Sequence, residues 1–141
     1  MNVTIKKLHP DAIVPAYAHG DAEDAGMDLY AVEDYNMPVR TGAAIPTGIA
    51  IVLPPYYEGQ VRPRSGLALK HAVVANFGTI DPGYRGEIKV VMFNGGASTY
   101  QIKKGDRIAQ LVVSRYERVT WVNGDLTPTK RGGTGFGKSG R

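Results

Sequence analysis

The chain has 141 residues, 43% of them hydrophobic, which is enough for one domain with a buried core. It has no cysteine, which removes disulfides, thiolate metal sites and cysteine nucleophiles together and suits a reducing compartment. Lysine and arginine number 17 against 13 acids, but Lys130, Arg131, Lys138 and Arg141 crowd one end, so the body is neutral and no nucleic-acid partner is expected. No apolar run is long enough to span a bilayer, and MNVTIKKLHPD has no signal-peptide core. A cytoplasmic protein without a membrane partner is expected. His9, His19 and His71 are scattered, with no metal-ligand spacing. Gly 18 and Pro 9, set among short β-branched runs, predict many strands and tight turns.

In chain order, VTIKKL at 3–8 alternates and reads as a first strand. A loop with Pro10, Pro15 and Gly20 follows. MDLYAV then reads as a partly buried strand carrying Asp28, a carboxylate that needs a partner such as an arginine unless it only ends a turn. IAIVL at 49–53 is a core strand closed by Pro54 and Pro55. YYEGQVRPRS leads through Arg62 and Arg64 into SGLALKH, the one convincing helical turn, with Ser65 as its N-cap. Guanidinium groups beside free helix N–H groups suit a phosphate, although an ordinary capped helix with surface arginines explains the same residues.

The stretch NFGTIDPGYRGEI at 76–88 places Asp81 before Pro82 and Gly83, a tight turn, with Tyr84 returning towards it. AVVANF and EIKVVMFN flank it as a hairpin pair. Asp81 is either a turn residue bonded to its own backbone or a base held on a loop tip. TYQIKKGDRIAQLVVSRYERVTWV at 99–122 adds strands around a KKGD turn. Its Gln110, among apolar residues, needs a partner from the backbone or a ligand. Trp121 reads as core or interface packing. No strand–helix alternation or repeat is visible, so a doubly wound fold is excluded in favour of an all-β jelly roll or barrel.

From Leu126 the chain is glycine-rich and basic. GGTGFGKS at 132–139 satisfies the Walker A pattern, but that motif works only ahead of a helix, and two residues remain after Ser139. Its glycines and Arg131, Lys138 and Ser139 still supply anion donors, and Phe136 suits a base or sugar ring. A plain solvated end is the other explanation.

AGMDLYA at 25–31, RPRSGLA at 62–68, GTIDPGYRGEI at 78–88, GDRIAQL at 105–111 and RGGTGFGKSG at 131–140 together resemble the five motifs of the homotrimeric dUTP diphosphatases. The resemblance implies an all-β jelly-roll or β-clip antiparallel barrel with one short helix over 1–125, and an arm over 126–141 that closes on a site. It implies a homotrimer with active sites at subunit boundaries. It also implies hydrolysis of dUTP to dUMP and pyrophosphate with Mg2+, which limits uracil in DNA and supplies dUMP for dTMP synthesis. Carried over by residue, Asp81 resembles the general base, and Tyr84 the ring that leaves no room for a 2′-hydroxyl. Thr79, Ile80 and Lys89 match the nucleoside pocket, and Asn76, five residues before Asp81, stands one residue from the place of the family's uracil-reading asparagine. Arg64, Ser65, Gly66 and Gln110 match phosphate contacts. Asp28 matches a supporting acid. Arg131 and Ser139 match γ-phosphate contacts, and Phe136 the ring stacked on uracil. Magnesium is expected on the substrate phosphates and water rather than on a protein cage.

Two places depart from the family pattern. The uracil-reading Asn usually stands six residues before the base, where this chain has Ala75, and Lys138 replaces a Ser or His. Two rivals share the scaffold. A dCTP deaminase lacks the Phe-bearing arm and needs a glutamate in the central hairpin. A non-catalytic nucleotide-binding protein needs no Asp81.

Overall fold

In a computed structural model, residues 1–135 of the chain are described. They form eleven strands and one short helix: β1 (Thr4–Lys7), β2 (Met27–Tyr30), β3 (Tyr35–Met37), β4 (Gly42–Pro46), β5 (Ile49–Val52), β6 (Tyr57–Arg62), α1 (Ser65–His71), β7 (Val73–Ala75), β8 (Gly78–Ile80), β9 (Lys89–Asn94), β10 (Tyr100–Ile102) and β11 (Arg107–Arg115). All the strand pairings are antiparallel, and they make sheets ordered β1-β5, β10-β3, β2-β11-β6-β8 and β4-β9-β7. No described helix is long and apolar enough to cross a membrane.

Sequence period explains the faces. In β9 the alternation KVVMFN buries Val90, Met92 and Asn94 and leaves Lys89, Val91 and Phe93 outside. In β5 the continuous run IAIV buries Ile49, Ala50 and Ile51. The inward residues of the sheets meet in one cluster that includes Leu29, Met37, Ile45, Val90, Met92 and Ile108, all at most 1% exposed. Each such side chain contributes about 1.5–3 kcal/mol by leaving water. Buried Asn94 donates to the carbonyls of Met37 and Ser98 and accepts from Gly96 N–H, so the NGGAS turn hangs on a polar residue inside the core.

The expected hairpin around Asp81 is more elaborate than two strands and a tip. β7 and β9 do pair, Val74 opposite Phe93. Between them the chain crosses to the other sheet, where β8 pairs with β6, Thr79 opposite Gln60. Asn76 and Phe77 make that crossing. The excursion therefore links two sheets, and Asp81 leaves the end of β8.

Ser65 is not the helix cap. The N-cap is Arg64, in extended conformation and with no side-chain capping bond, and Ser65 is the first helical residue. The helix ends at Ala72, left-handed at φ 53°, whose N–H returns to the carbonyls of Leu67 and Ala68.

Candidate functional site

Two clefts collect the chemically active side chains. The first, of about 220 Å³, opens at the end of β8 and is lined by Val61, Gly78, Thr79, Ile80, Asp81, Tyr84, Glu87, Ile88 and Lys89. Its floor is apolar, since Ile80 and Ile88 are buried. Its rim is polar. The Asp81–Tyr84 turn is closed by Tyr84 N–H donating to the Asp81 carbonyl at 3.0 Å. Arg85 staples the same turn, Nη1 donating to the carbonyls of Pro82 and Tyr84 at 2.7 and 2.8 Å.

The Asp81 carboxylate makes no hydrogen bond or ion pair among the described residues; only its backbone serves the turn. The turn therefore does not need an acid there for local bonding. An exposed, uncommitted carboxylate at the mouth of an apolar-floored cleft is able to accept a proton from water held in that mouth.

Tyr84 is fixed at its far end. Its hydroxyl donates to the Glu87 carbonyl at 3.0 Å, and its ring occupies the space that a Cβ on Gly86 would need. Lys89 reaches the cleft from the start of β9, with Nζ at 3.8 Å from Glu87 Oε2. The predicted residues Thr79, Ile80, Asp81, Tyr84 and Lys89 are thus brought together. Asn76 is not among the lining; it is exposed, and its N–H donates to Val91 O at 2.8 Å.

The second cleft, also about 220 Å³, lies beside α1 and is lined by Arg64, Leu67, Tyr100, Ile102, Asp106, Arg107 and Ile108. At its edge Asp28, 4% exposed, faces two guanidinium groups. Arg64 Nε is 3.4 Å from Oδ1, and Arg107 Nη1 is 3.4 Å from Oδ2. Arg64 Nη1 also donates to the Arg107 carbonyl at 2.9 Å. The arginine partner expected for Asp28 is therefore present twice. Asp28 and the cleft-lining Asp106 balance the two guanidiniums in charge, but Arg64 and Arg107 carry more N–H donors than the Asp28 oxygens take up, and such forks suit a phosphate.

Gln110 stands opposite both Asp28 and Arg62 in the register of β2, β11 and β6, so it shares a sheet face with the Asp28 group. Its side chain lies along Gly26, where an added Cβ would meet Gln110 Cβ at 3.2 Å. Ser65 and Gly66 are exposed at the start of α1. Burial holds the Tyr100 hydroxyl above its ordinary value, reinforced by Asp106 and opposed by Arg64.

Arg131 is exposed and folds into local turns, Nε donating to Thr134 O at 3.1 Å. Phe136 and Ser139 lie outside the described residues. Sequence reasoning missed Glu87, Ile88 and Arg107. Glu87 had a signal in its place directly after Gly86 in the same motif. Arg107 had one in its place in GDRIAQL, the motif that also carries Gln110. Among the described residues no three acids or histidines gather as a metal cage.

The sequence pattern of the family described as dUTPase matches residues 13–140. The chain is 55% identical over 143 residues to the deoxyuridine 5'-triphosphate nucleotidohydrolase of Solibacter usitatus, covering 100% of this chain and 97% of that protein. It is 47% identical to the protein of the same name from Gloeothece citriformis, covering 99% and 97%. It is also similar to a solved structure of Staphylococcus bacteriophage 80alpha dUTPase with dUpNHpp: TM-score 0.88, 27% identity, 99% of each chain. A dUTPase from phage phi11 of S. aureus, described with a structural Mg(II) ion, shares the fold with a TM-score of 0.84, 24% identity and coverage of 92% and 100%.

Proposed function

The chain belongs to the dUTPase family, and on that premise we propose that it hydrolyses dUTP to dUMP and pyrophosphate, keeping uracil out of DNA and supplying dUMP for dTMP synthesis. The observation that carries this is the uncommitted Asp81 carboxylate at the mouth of a cleft lined by Thr79, Ile80, Tyr84 and Lys89. In this reading the nucleoside lies in that cleft, with the Tyr84 ring against C2′. Asp81 takes a proton from water as the water oxygen bonds to the α-phosphorus. The bond from that phosphorus to the bridging oxygen breaks, and pyrophosphate leaves with its electron pair. Asn76 reads uracil from the crossing segment beside the cleft.

Arg64, Ser65, Gly66 and Gln110 hold phosphates, with Asp28 orienting Arg64. Over 126–141 an arm closes the site, bringing Arg131 and Ser139 to the γ-phosphate and Phe136 to uracil. The donor set suits Mg2+ carried by the substrate, since the buried carboxylate beside the phosphate-side arginines, Asp28, is already committed to them. When bound, the ion neutralises charge on the triphosphate.

The reading includes a homotrimer. The two clefts share no lining residue, which supports a site completed by a neighbouring subunit. Large apolar side chains also face solvent: Trp121 is 90% exposed, Leu126 94%, and Val91 and Phe93 stand on the outer face of β9. The cytoplasm, where nucleotides are made, is the expected location.

The test offers the protein dUTP, dCTP or UTP with Mg2+ and measures pyrophosphate and ammonia. Pyrophosphate from dUTP alone is expected. Ammonia from dCTP, or tight dUTP binding without turnover, would overturn the reading.

A further inference from the structure

Among the described residues, Glu87 is the one acid lining the Asp81 cleft that the proposed chemistry leaves without a task. One oxygen of its partly buried carboxylate makes a specific bond: Oε1 accepts the N–H of Gly48 at 2.8 Å. Gly48 belongs to the turn joining β4 and β5, nearly forty residues earlier in the chain.

Two further bonds run between the same segments. Thr47 Oγ1, in a residue 2% exposed, donates to the Ile88 carbonyl at 2.6 Å, and Ile88 N–H donates to the Ile49 carbonyl at 2.8 Å. The turn is itself immobilised. Gly48 has φ +70°, a Cβ there would meet Ala12, His9 and Val32 at 3.0 Å, and its carbonyl accepts from Leu8 N–H at 2.7 Å. Glu87 and Ile88 are therefore held against a part of the core that cannot shift.

What they hold is Tyr84. Its hydroxyl is bonded to the Glu87 carbonyl, and its ring rests over Gly86. The ring itself is about half exposed, so little else fixes it. We infer that the Thr47–Gly48 turn and Glu87 form a positioning clamp for the cleft wall, and that through Tyr84 this clamp sets discrimination between deoxyribose and ribose substrates. The clamp rests on the reading of this cleft as the dUTP site. Glu87 touches no reacting atom and is a positioning residue. Its second oxygen, near Lys89, is a separate contact that the experiment must distinguish.

Two variants do so. Glu87→Gln keeps an oxygen for the Gly48 N–H and removes the charge facing Lys89. Glu87→Ala removes both. With steady-state kinetics on dUTP and UTP, Glu87→Ala is expected to raise KM for dUTP about tenfold, with a smaller effect on kcat, and to lower the dUTP-to-UTP ratio of kcat/KM about tenfold. Glu87→Gln is expected within about twofold of wild type on both, because the clamp survives. Amide exchange at Gly48, followed without substrate, should be slow in wild type and Glu87→Gln and fast in Glu87→Ala.

An unchanged ratio in Glu87→Ala would overturn the inference, including the case where both substrates decline together. So would a Glu87→Gln variant as impaired as Glu87→Ala, which would assign the effect to Lys89. If wild type turns over no dUTP, the functional reading fails instead. The clamp is then judged by the Gly48 amide alone, and equal exchange in wild type and Glu87→Ala would overturn it.

Discussion

Replacing Gly86 with alanine separates the stability of the fold from the accuracy of its site. An ideal Cβ at this position lies 2.6 Å from Cζ of Tyr84, with the hydroxyl oxygen nearer still. Non-bonded heavy atoms rest at about 3.5–4.0 Å, so the ring must retreat by roughly 1 Å. The obstructing atoms are the far end of an exposed side chain held there by one hydrogen bond, not backbone, so the fold yields at little cost. Gly86 does not occupy the left-handed region, so alanine brings no backbone strain. It also narrows the unfolded ensemble, worth about 0.4–1 kcal/mol in favour of folding. Against this stands the Tyr84 bond to the Glu87 carbonyl, worth about 0.5–1.5 kcal/mol. The net change is within about 1 kcal/mol, or about 4 °C in Tm for a domain of this size. The functional cost is larger, because a reacting geometry misplaced by about 1 Å loses up to on the order of 10²-fold. The expected result is a near-native thermal melt with KM for dUTP raised about tenfold or more and UTP gaining ground relative to dUTP. Tyr84→Phe, which loses the bond but leaves the ring its space, should be affected less. Wild-type KM and selectivity in Gly86→Ala would refute the placement of the ring, and a Tm loss beyond about 10 °C would refute the claim that the ring yields freely.

Asp81→Asn should leave the melt unchanged, since only the Asp81 carbonyl serves the turn, while kcat falls by about 10²–10⁴ in a pyrophosphate-release assay. Asp28→Ala should destabilise by about 1–3 kcal/mol in urea titration, less than a fully buried pair would, because both arginines retain contact with water; combined with Arg64→Ala the losses should be less than additive. Ala72→Gly should raise Tm, because a left-handed alanine costs about 1–2 kcal/mol and glycine returns only part of that to the unfolded chain. The Asp24 carboxyl, held by the backbone N–H and then the side chain of His19, and the Asp11 carboxyl, held by the Lys104 ammonium, should titrate below 3.8 by NMR. Their folded values are lowered, so their contribution to stability is present above that ordinary value and fades as pH falls through the lowered ones.

The site was legible where one residue's chemistry explains its place. Asp28 announced a cationic partner because a carboxylate among apolar neighbours cannot remain unpaired, and Arg64 and Arg107 answer it. Asp81, Tyr84 and Lys89 were legible because Pro82 and Gly83 force a turn that returns the chain to one place. Less was legible where contacts cross the fold. Nothing local announces that β8 leaves its neighbours for β6, since the two residues of the crossing, Asn76 and Phe77, carry no turn signal strong enough to break a hairpin. Ser65 illustrates a different limit. A serine before an apolar run is a good cap by type, but Arg64 before it takes the extended capping position because its guanidinium is drawn back to Asp28 and the Arg107 carbonyl. A tertiary ion pair thereby sets the helix start one residue earlier than local propensity would. The same logic separates the two classes of residue around the cleft. Those that would meet a ligand lie together in sequence, and sequence finds them. Those that hold them still, Thr47 and Gly48 against Glu87 and Ile88, are joined only by the folded chain, where the β4–β5 turn and the end of the Asp81 excursion come within hydrogen-bond reach.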